Sequence, residues 1–204
     1  MPASFTKKQQ EEIREQLFHE GIKLFRTLGV QRATISKLTS ACGIAKGSFY
    51  SFYESKETFI LALTEWAEQK TKEMLEKKLA GRSQMSAHEF LEFFREYLYS
   101  EYDLMNGLTV NDFLWLKTHM TDTDLFNPVD QMALAQACLP LISDAREGID
   151  CGTVVNLIKA IYAMREHRDT LVEASLDNSI EVMLRVLEIY ITGKSSDKDA
   201  FFLA

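Results

Sequence analysis

The sequence predicts an all-α protein, on three observations. Only three prolines and nine glycines occur in 204 residues, too few for the many tight turns of an all-β fold. Long stretches are built from Glu, Lys, Leu, Ala, Met and Gln, which favour helix. Apolar residues recur at helical spacing from the first segment onward. The expected architecture is a small N-terminal three-helix module joined to a larger helical body.

Local signals place each element. Thr6 and Gln9 have capping-box spacing, Ile13, Leu17, Leu24, Phe25 and Leu28 form an apolar stripe, and Gly29 offers a stop, so a first helix is expected over 6–28. Thr34 can cap a short helix carrying Ile35, Leu38 and Cys42, which ends at Gly43. Ile44 leads into a second short element, AKGSFYSFY. A long helix is expected from near Ser55 through Phe59, Ile60, Leu63, Trp66 and Ala67 to Leu79, broken at Gly81-Arg82-Ser83. Ser86 and Glu89 form another capping box, opening an aromatic-rich helix to about Leu104. Asn106-Gly107 marks a turn, and a helix through Phe113, Trp115 and Leu116 follows. Asn127-Pro128 starts the next helix, expected to reach about Arg146 with a kink or break at Pro140. The last two helices are expected near 150–165 and 175–192, and residues 194–204 read as a frayed tail.

The formal net charge of −7 argues at first against a nucleic-acid partner. Residues 1–60, however, hold nine Lys or Arg against six Glu and no Asp, a net of +3 that leaves −10 for the rest. This asymmetry suits a nucleic-acid-binding head on an acidic body. Cys42, Cys138 and Cys151 show neither a disulfide framework nor zinc spacing, and read as small buried hydrophobes. His19, His88, His119 and His167 lack metal-ligand spacing, and there is no P-loop, GxSxG or HExxH, so no metal, cofactor or enzyme activity is expected. The polar N-terminus and the absence of a run of about 18 apolar residues predict a cytoplasmic protein with no membrane contact.

Two short helices separated by Gly43-Ile44 have helix-turn-helix form. In such a motif the second helix enters the major groove while the first braces it on the backbone. Here that second helix carries Lys46, Gly47, Ser48, Tyr50 and Ser51: one cation, hydroxyl donors and a position without a side chain. Those types suit close approach to phosphates and base edges. Composition alone leaves a polar surface turn equally open.

Residues 34–63, TISKLTSACGIAKGSFYSFYESKETFILAL, resemble the signature of the tetracycline-repressor (TetR) family of bacterial transcriptional regulators. Thr34, Leu38, Gly43, Ile44, Gly47, Tyr50 and Lys56 carry the match, and Leu24, Phe25 and Gly29 resemble the family's end of helix one. Five positions depart from the pattern: Thr39 and Cys42 replace alanines, Tyr53 a phenylalanine, Gly21 an alanine, and Ala45 a frequent serine cap. The resemblance implies a DNA-binding domain over 1–55 and a helical effector-binding and dimerisation domain over 56–193, with 194–204 a flexible tail. It implies phosphate contacts from Thr34, Tyr50 and Lys56. Lys46, Gly47, Ser48 and Ser36 would face base edges, and Lys37 and Ser51 complete the expected DNA-binding set. Leu38, Phe49 and Phe59 are expected in the core.

The implied partners are a palindromic double-stranded operator, a second copy of the chain and a small apolar or aromatic effector that releases a repressor from DNA. An effector-independent architectural DNA-binding or protein-interaction role is the alternative. The segment 177–193 supports dimerisation, because its apolar residues cover most of the helix circumference. Ile180, Met183, Leu184, Leu187 and Ile191, with Val154, Leu157, Ile158 and Ile161 on the preceding helix, are the expected interface. Phe94, Tyr97, Leu98, Tyr102, Phe113, Trp115, His119 and Met120 either line an effector cavity or fill the core.

Overall fold

The computed structural model describes residues 6–120 and 128–194, and is helical with no strand among them. Asn127, expected as a cap, and the tail from 195 onward lie outside the described residues. The chain divides into two compact units, one of residues 1–70 with 101–123 and one of 71–100 with 124–204. No described helix is long and apolar enough to cross a membrane, and no described cluster of His, Cys, Asp or Glu is placed to hold a metal.

The first unit opens with α1 (Lys7–Leu28), capped reciprocally by Thr6 and Gln9 and stopped at Gly29, where φ is 79°. Next come α2 (Ile35–Ala41) and α3 (Lys46–Phe49), then the first half of α4 (Lys56–Leu79). Leu17, Ile22, Val30, Leu38, Phe49, Phe59 and Leu63 fill its core. Phe18, Phe49, Tyr53 and Phe59 form an aromatic cluster with centroids 5.2–6.2 Å apart. Gly21 has a packing reason here: a Cβ on it would stand 2.8 Å from Phe59 Cζ. The missing side chain lets the Phe59 ring lie against α1.

The second unit contains α5 (Ala87–Tyr99), α7 (Pro128–Cys138), α8 (Cys151–Glu166) and α9 (Leu176–Thr192). The Ser86–Glu89 capping box forms as expected. The helix stops at Tyr99, five residues before the expected Leu104, because Ser100 turns extended and caps back onto the Tyr97 carbonyl. Likewise α7 ends at Cys138, well short of Arg146. Pro140 sits in a 3-10 turn over Leu139–Leu141, after which the chain pairs with Met85 through Met85 N–H to Leu141 O and Ser143 N–H to Met85 O, both 2.8 Å. The break expected at Pro140 is a true helix end.

The core of this unit gathers Ala87, Leu91, Leu98, Ile142, Val154, Ile161, Leu176, Ile180, Leu184, Leu187 and Ile191. This corrects part of the expected dimer interface. Ile161, Ile180, Leu184, Leu187 and Ile191 are at most 1% exposed within a single chain, so no second chain can touch them. The four on α9 make one stripe that packs against the chain's own α5 and α8, the helix that carries Ile161. Val154 is buried too, while Leu157, Ile158 and Met183 are only partly covered. The neighbouring stripe of Val182, Val186 and Ile189 is also half-buried and faces outward, whereas Tyr190 packs against the core beneath Arg146.

Candidate nucleic-acid interface

The helix-turn-helix is built by short-range bonds. Thr34 takes extended backbone and accepts the Lys37 N–H on its hydroxyl at 3.3 Å, which caps α2. At the other end Cys42 caps onto Leu38, Gly43 adopts a left-handed φ of 65°, and Ile44 N–H reaches Thr39 O at 3.0 Å. That reversal aims α3 across α2. Ala45 starts α3 without any side-chain cap, as its methyl requires. The short helix is held instead by Phe49, which is wholly buried, and by Tyr53 N–H donating to Phe49 O. Burial raises the Tyr53 phenol to about 12, with the Arg14 charge opposing.

Burying Phe49 turns the rest of α3 outward. Lys46, Gly47, Tyr50 and Ser51 are exposed and Ser48 is half-buried; Thr34, Ser36 and Lys37 on α2 are exposed as well. Tyr50 is 49% exposed although its ring leans edge-on against Phe49 at 5.6 Å. Ser51 spends its hydroxyl proton on Ser48 O at 2.6 Å, and Lys37 Nζ rests on Arg32 O at 3.1 Å. The arrangement offers a convex polar ridge with hydroxyl, phenol and ammonium donors, suited to a groove lined by acceptors.

Lys56 is placed differently from its neighbours in the expected set. Its ammonium donates to Val30 O and Gln31 O and sits 4.7 Å above the Trp115 ring, and burial lowers its pKa. The opposite end of Val30 is held by Asp112, whose carboxylate accepts the Val30 N–H at 2.5 Å. Asp112 is 4% exposed and belongs to α6 (Val110–His119), where it also completes a capping box with Thr109. A Cβ at residue 29 would meet Asp112 Oδ1 at 2.8 Å, so Gly29 serves both the positive φ and this approach. The turn that delivers Thr34 is thus pinned by a carboxylate and an ammonium from two other helices.

A model of the family described as bacterial regulatory proteins, tetR family, matches residues 17–63. The likeness to that family lies in this segment, which holds the helix-turn-helix. The uncharacterized HTH-type transcriptional regulator YerO of Bacillus subtilis is 38% identical over 55 residues, 27% of this chain. The match spans only 19% of that protein's length. Among solved structures, a TetR-family transcriptional regulator from Cytophaga hutchinsonii aligns with TM-score 0.59 and 18% identity over 95% of this chain and 100% of its own. A gamma-butyrolactone receptor, described as ArpA-like, aligns with TM-score 0.55 and 18% identity over 87% and 97%. These two share the fold.

The eight residues expected at an effector pocket fall in different units of the chain. Phe94, Tyr97 and Leu98 belong to the second, with Leu98 fully buried and the Phe94 and Tyr97 rings 6.4 Å apart. Tyr102, Phe113, Trp115, His119 and Met120 belong to the first. There Tyr102 packs on Trp66 at 5.4 Å, Trp115 stacks on an exposed His119 at 4.2 Å, and Met120 is 5% exposed. The second unit carries a groove of about 280 Å³ between α5 and α9 that sequence reasoning missed. Leu91, Val182, Val186 and Ile189 line it, with Arg95 paired to Glu181 by two 2.7 Å bonds and Arg185 paired to Glu188. Cys42, Cys138 and Cys151 are free thiols, and burial pushes Cys42 up to about 11.

Proposed function

We propose that this chain is a DNA-binding transcriptional repressor that acts as a homodimer on a palindromic operator and is released by a small-molecule effector. One observation carries the DNA-binding part: α3 buries Phe49 and thereby turns Lys46, Gly47, Ser48, Tyr50 and Ser51 outward as one polar ridge. Thr34, Ser36 and Lys37 extend the contact surface along α2. Tyr50 and Thr34 donate to phosphates, and Lys46 reads a guanine edge. Lys56 acts through the α1–α2 turn, holding Val30 in place.

Dimerisation uses the outward, half-buried stripe of α9 together with Leu157, Ile158 and Met183. Support for an effector comes from the fold shared with a gamma-butyrolactone receptor. The test compares wild type and Lys46→Ala on the preferred duplex and on a scrambled one, at one salt concentration. A loss of about 1–3 kcal/mol per half-site on the operator, with little change on scrambled DNA, is expected. Equal losses on both would make Lys46 a plain anchor, and no binding by wild type to any duplex would overturn the reading.

A further inference from the structure

The cations of the first unit sort by what already satisfies them. Lys8 pairs with Glu12 at 3.6 Å and Lys23 with Glu20 at 2.6 Å. Arg26 donates to the carbonyls of Glu101 and Asp103, Arg32 to Leu28, Lys37 to Arg32, and Lys56 to Val30 and Gln31. Lys46 has no ion pair among the described residues, as a base-reading group should not. Lys7 and Lys117 likewise have no ion pair among the described residues. Arg14 differs from them in its place beside the recognition helix. It is exposed, and although Glu11 and Glu15 flank it on α1, it forms no ion pair among the described residues. Its guanidinium lies 5.7 Å from the centre of the Phe52 ring instead.

That contact fixes where the charge stands. Phe52 follows the last residue of α3 by three, and its N–H is tied to Phe49 O at 2.9 Å. Lys46 is the first residue of α3. Two exposed cations without carboxylate partners therefore bracket the recognition helix, Lys46 at its start and Arg14 just past its end. A planar guanidinium stacked on an aromatic ring keeps its N–H edge free to meet a phosphate while its orientation is restrained. Holding it there before binding reduces the ordering cost on the DNA.

We infer that Arg14, on α1 and outside the helix-turn-helix, grips a DNA phosphate beside the C-terminal end of the recognition helix. The inference rests on the DNA-binding reading above. A phosphate contact carries no sequence information but releases counterions. Arg14→Gln keeps part of the stem over Phe52 and removes the charge; Arg14→Lys keeps the charge. Binding of wild type and both variants is measured across a salt series, on the duplex that wild type prefers and on a scrambled one, with thermal unfolding as a check on folding.

Arg14→Gln should flatten log K against log salt by about 0.9 per half-site, or about 1.8 per dimer, and weaken both duplexes by the same factor. Arg14→Lys should restore the slope. An unchanged slope for a folded Arg14→Gln, with wild type binding normally, overturns this inference and leaves the DNA-binding reading intact. A loss confined to the preferred duplex also overturns it, since that is the mark of base reading. Failure of wild type to bind either duplex overturns both.

Discussion

Removing the Asp112 carboxylate should release the turn that positions α2. Asp112→Ala strips three acceptor contacts at once: Val30 N–H at 2.5 Å, Thr109 N–H at 3.0 Å and the Thr109 hydroxyl at 2.7 Å. Val30 is 2% exposed, so its N–H has no easy access to water. A hydrogen bond to a charged group contributes about 1.5–3 kcal/mol, and a stranded buried donor costs about 1–3 kcal/mol. Relief from burying a carboxylate offsets part of this. The net loss should be about 2–4 kcal/mol, a fall in Tm of about 5–12 °C for a chain of this size. Asp112→Asn can keep an acceptor on Val30 but turns an amide toward Thr109, so about half the loss is expected. Thermal and urea unfolding would measure both, with m-values compared to confirm that the change is in stability. An Asp112→Ala protein within 0.5 kcal/mol of wild type would refute the pinned-turn reasoning.

The remaining perturbations test separate contacts. Gly21→Ala drives a methyl into Phe59, and overpacking of about 1–3 kcal/mol should outweigh the gain of about 1 kcal/mol in helix propensity, lowering the urea midpoint; a higher midpoint would show that the ring simply shifts. Lys56→Gln should lower thermal stability while changing the salt slope of DNA binding far less than Arg14→Gln does, and a full unit of slope per half-site would instead place Lys56 on a phosphate. The Arg82 guanidinium beside Glu89, helped by the Ser86 N–H, holds its carboxyl down at about 2. That folded pKa lies below the unfolded one, so the stabilisation is present above the ordinary carboxylate range and is lost as pH falls toward 2. Glu89→Gln should therefore be less stable near neutrality, with a difference from wild type that shrinks between about pH 4.5 and 2; a constant gap would remove the charge from the explanation.

What was legible in the sequence was local. The caps at Thr6, Thr34 and Ser86 and the stop at Gly29 each depend on residues within four positions, and each forms. The ridge on α3 was legible because one buried aromatic, Phe49, fixes which way its neighbours face. Partners far along the chain were not. Lys56 looked like a free cation until Val30 and Trp115, 26 and 59 residues away, were brought to it. Asp112 drew no attention, since nothing near it in sequence announces the Val30 N–H, 82 residues upstream. In α9 the apolar residues were recognised but their division was not. Periodicity finds stripes around a helix, yet only packing against α5 and α8 decides that Ile180, Leu184, Leu187 and Ile191 face inward. Leu187→Glu would therefore disrupt the chain's own core rather than report on a dimer.

The central claim is sequence-specific recognition of DNA by the α2–α3 ridge, and the most direct measurement is enrichment of duplexes from a random pool by the purified full chain. Repeated selection should yield inverted half-sites about one helical turn apart, the spacing at which two recognition helices of a symmetric dimer reach successive major grooves. Lys46→Ala should lose the preference at one symmetric base pair. A pool that stays random after selection, or one enriched identically by wild type and by a variant with Lys46, Ser48 and Tyr50 all changed to alanine, would contradict it.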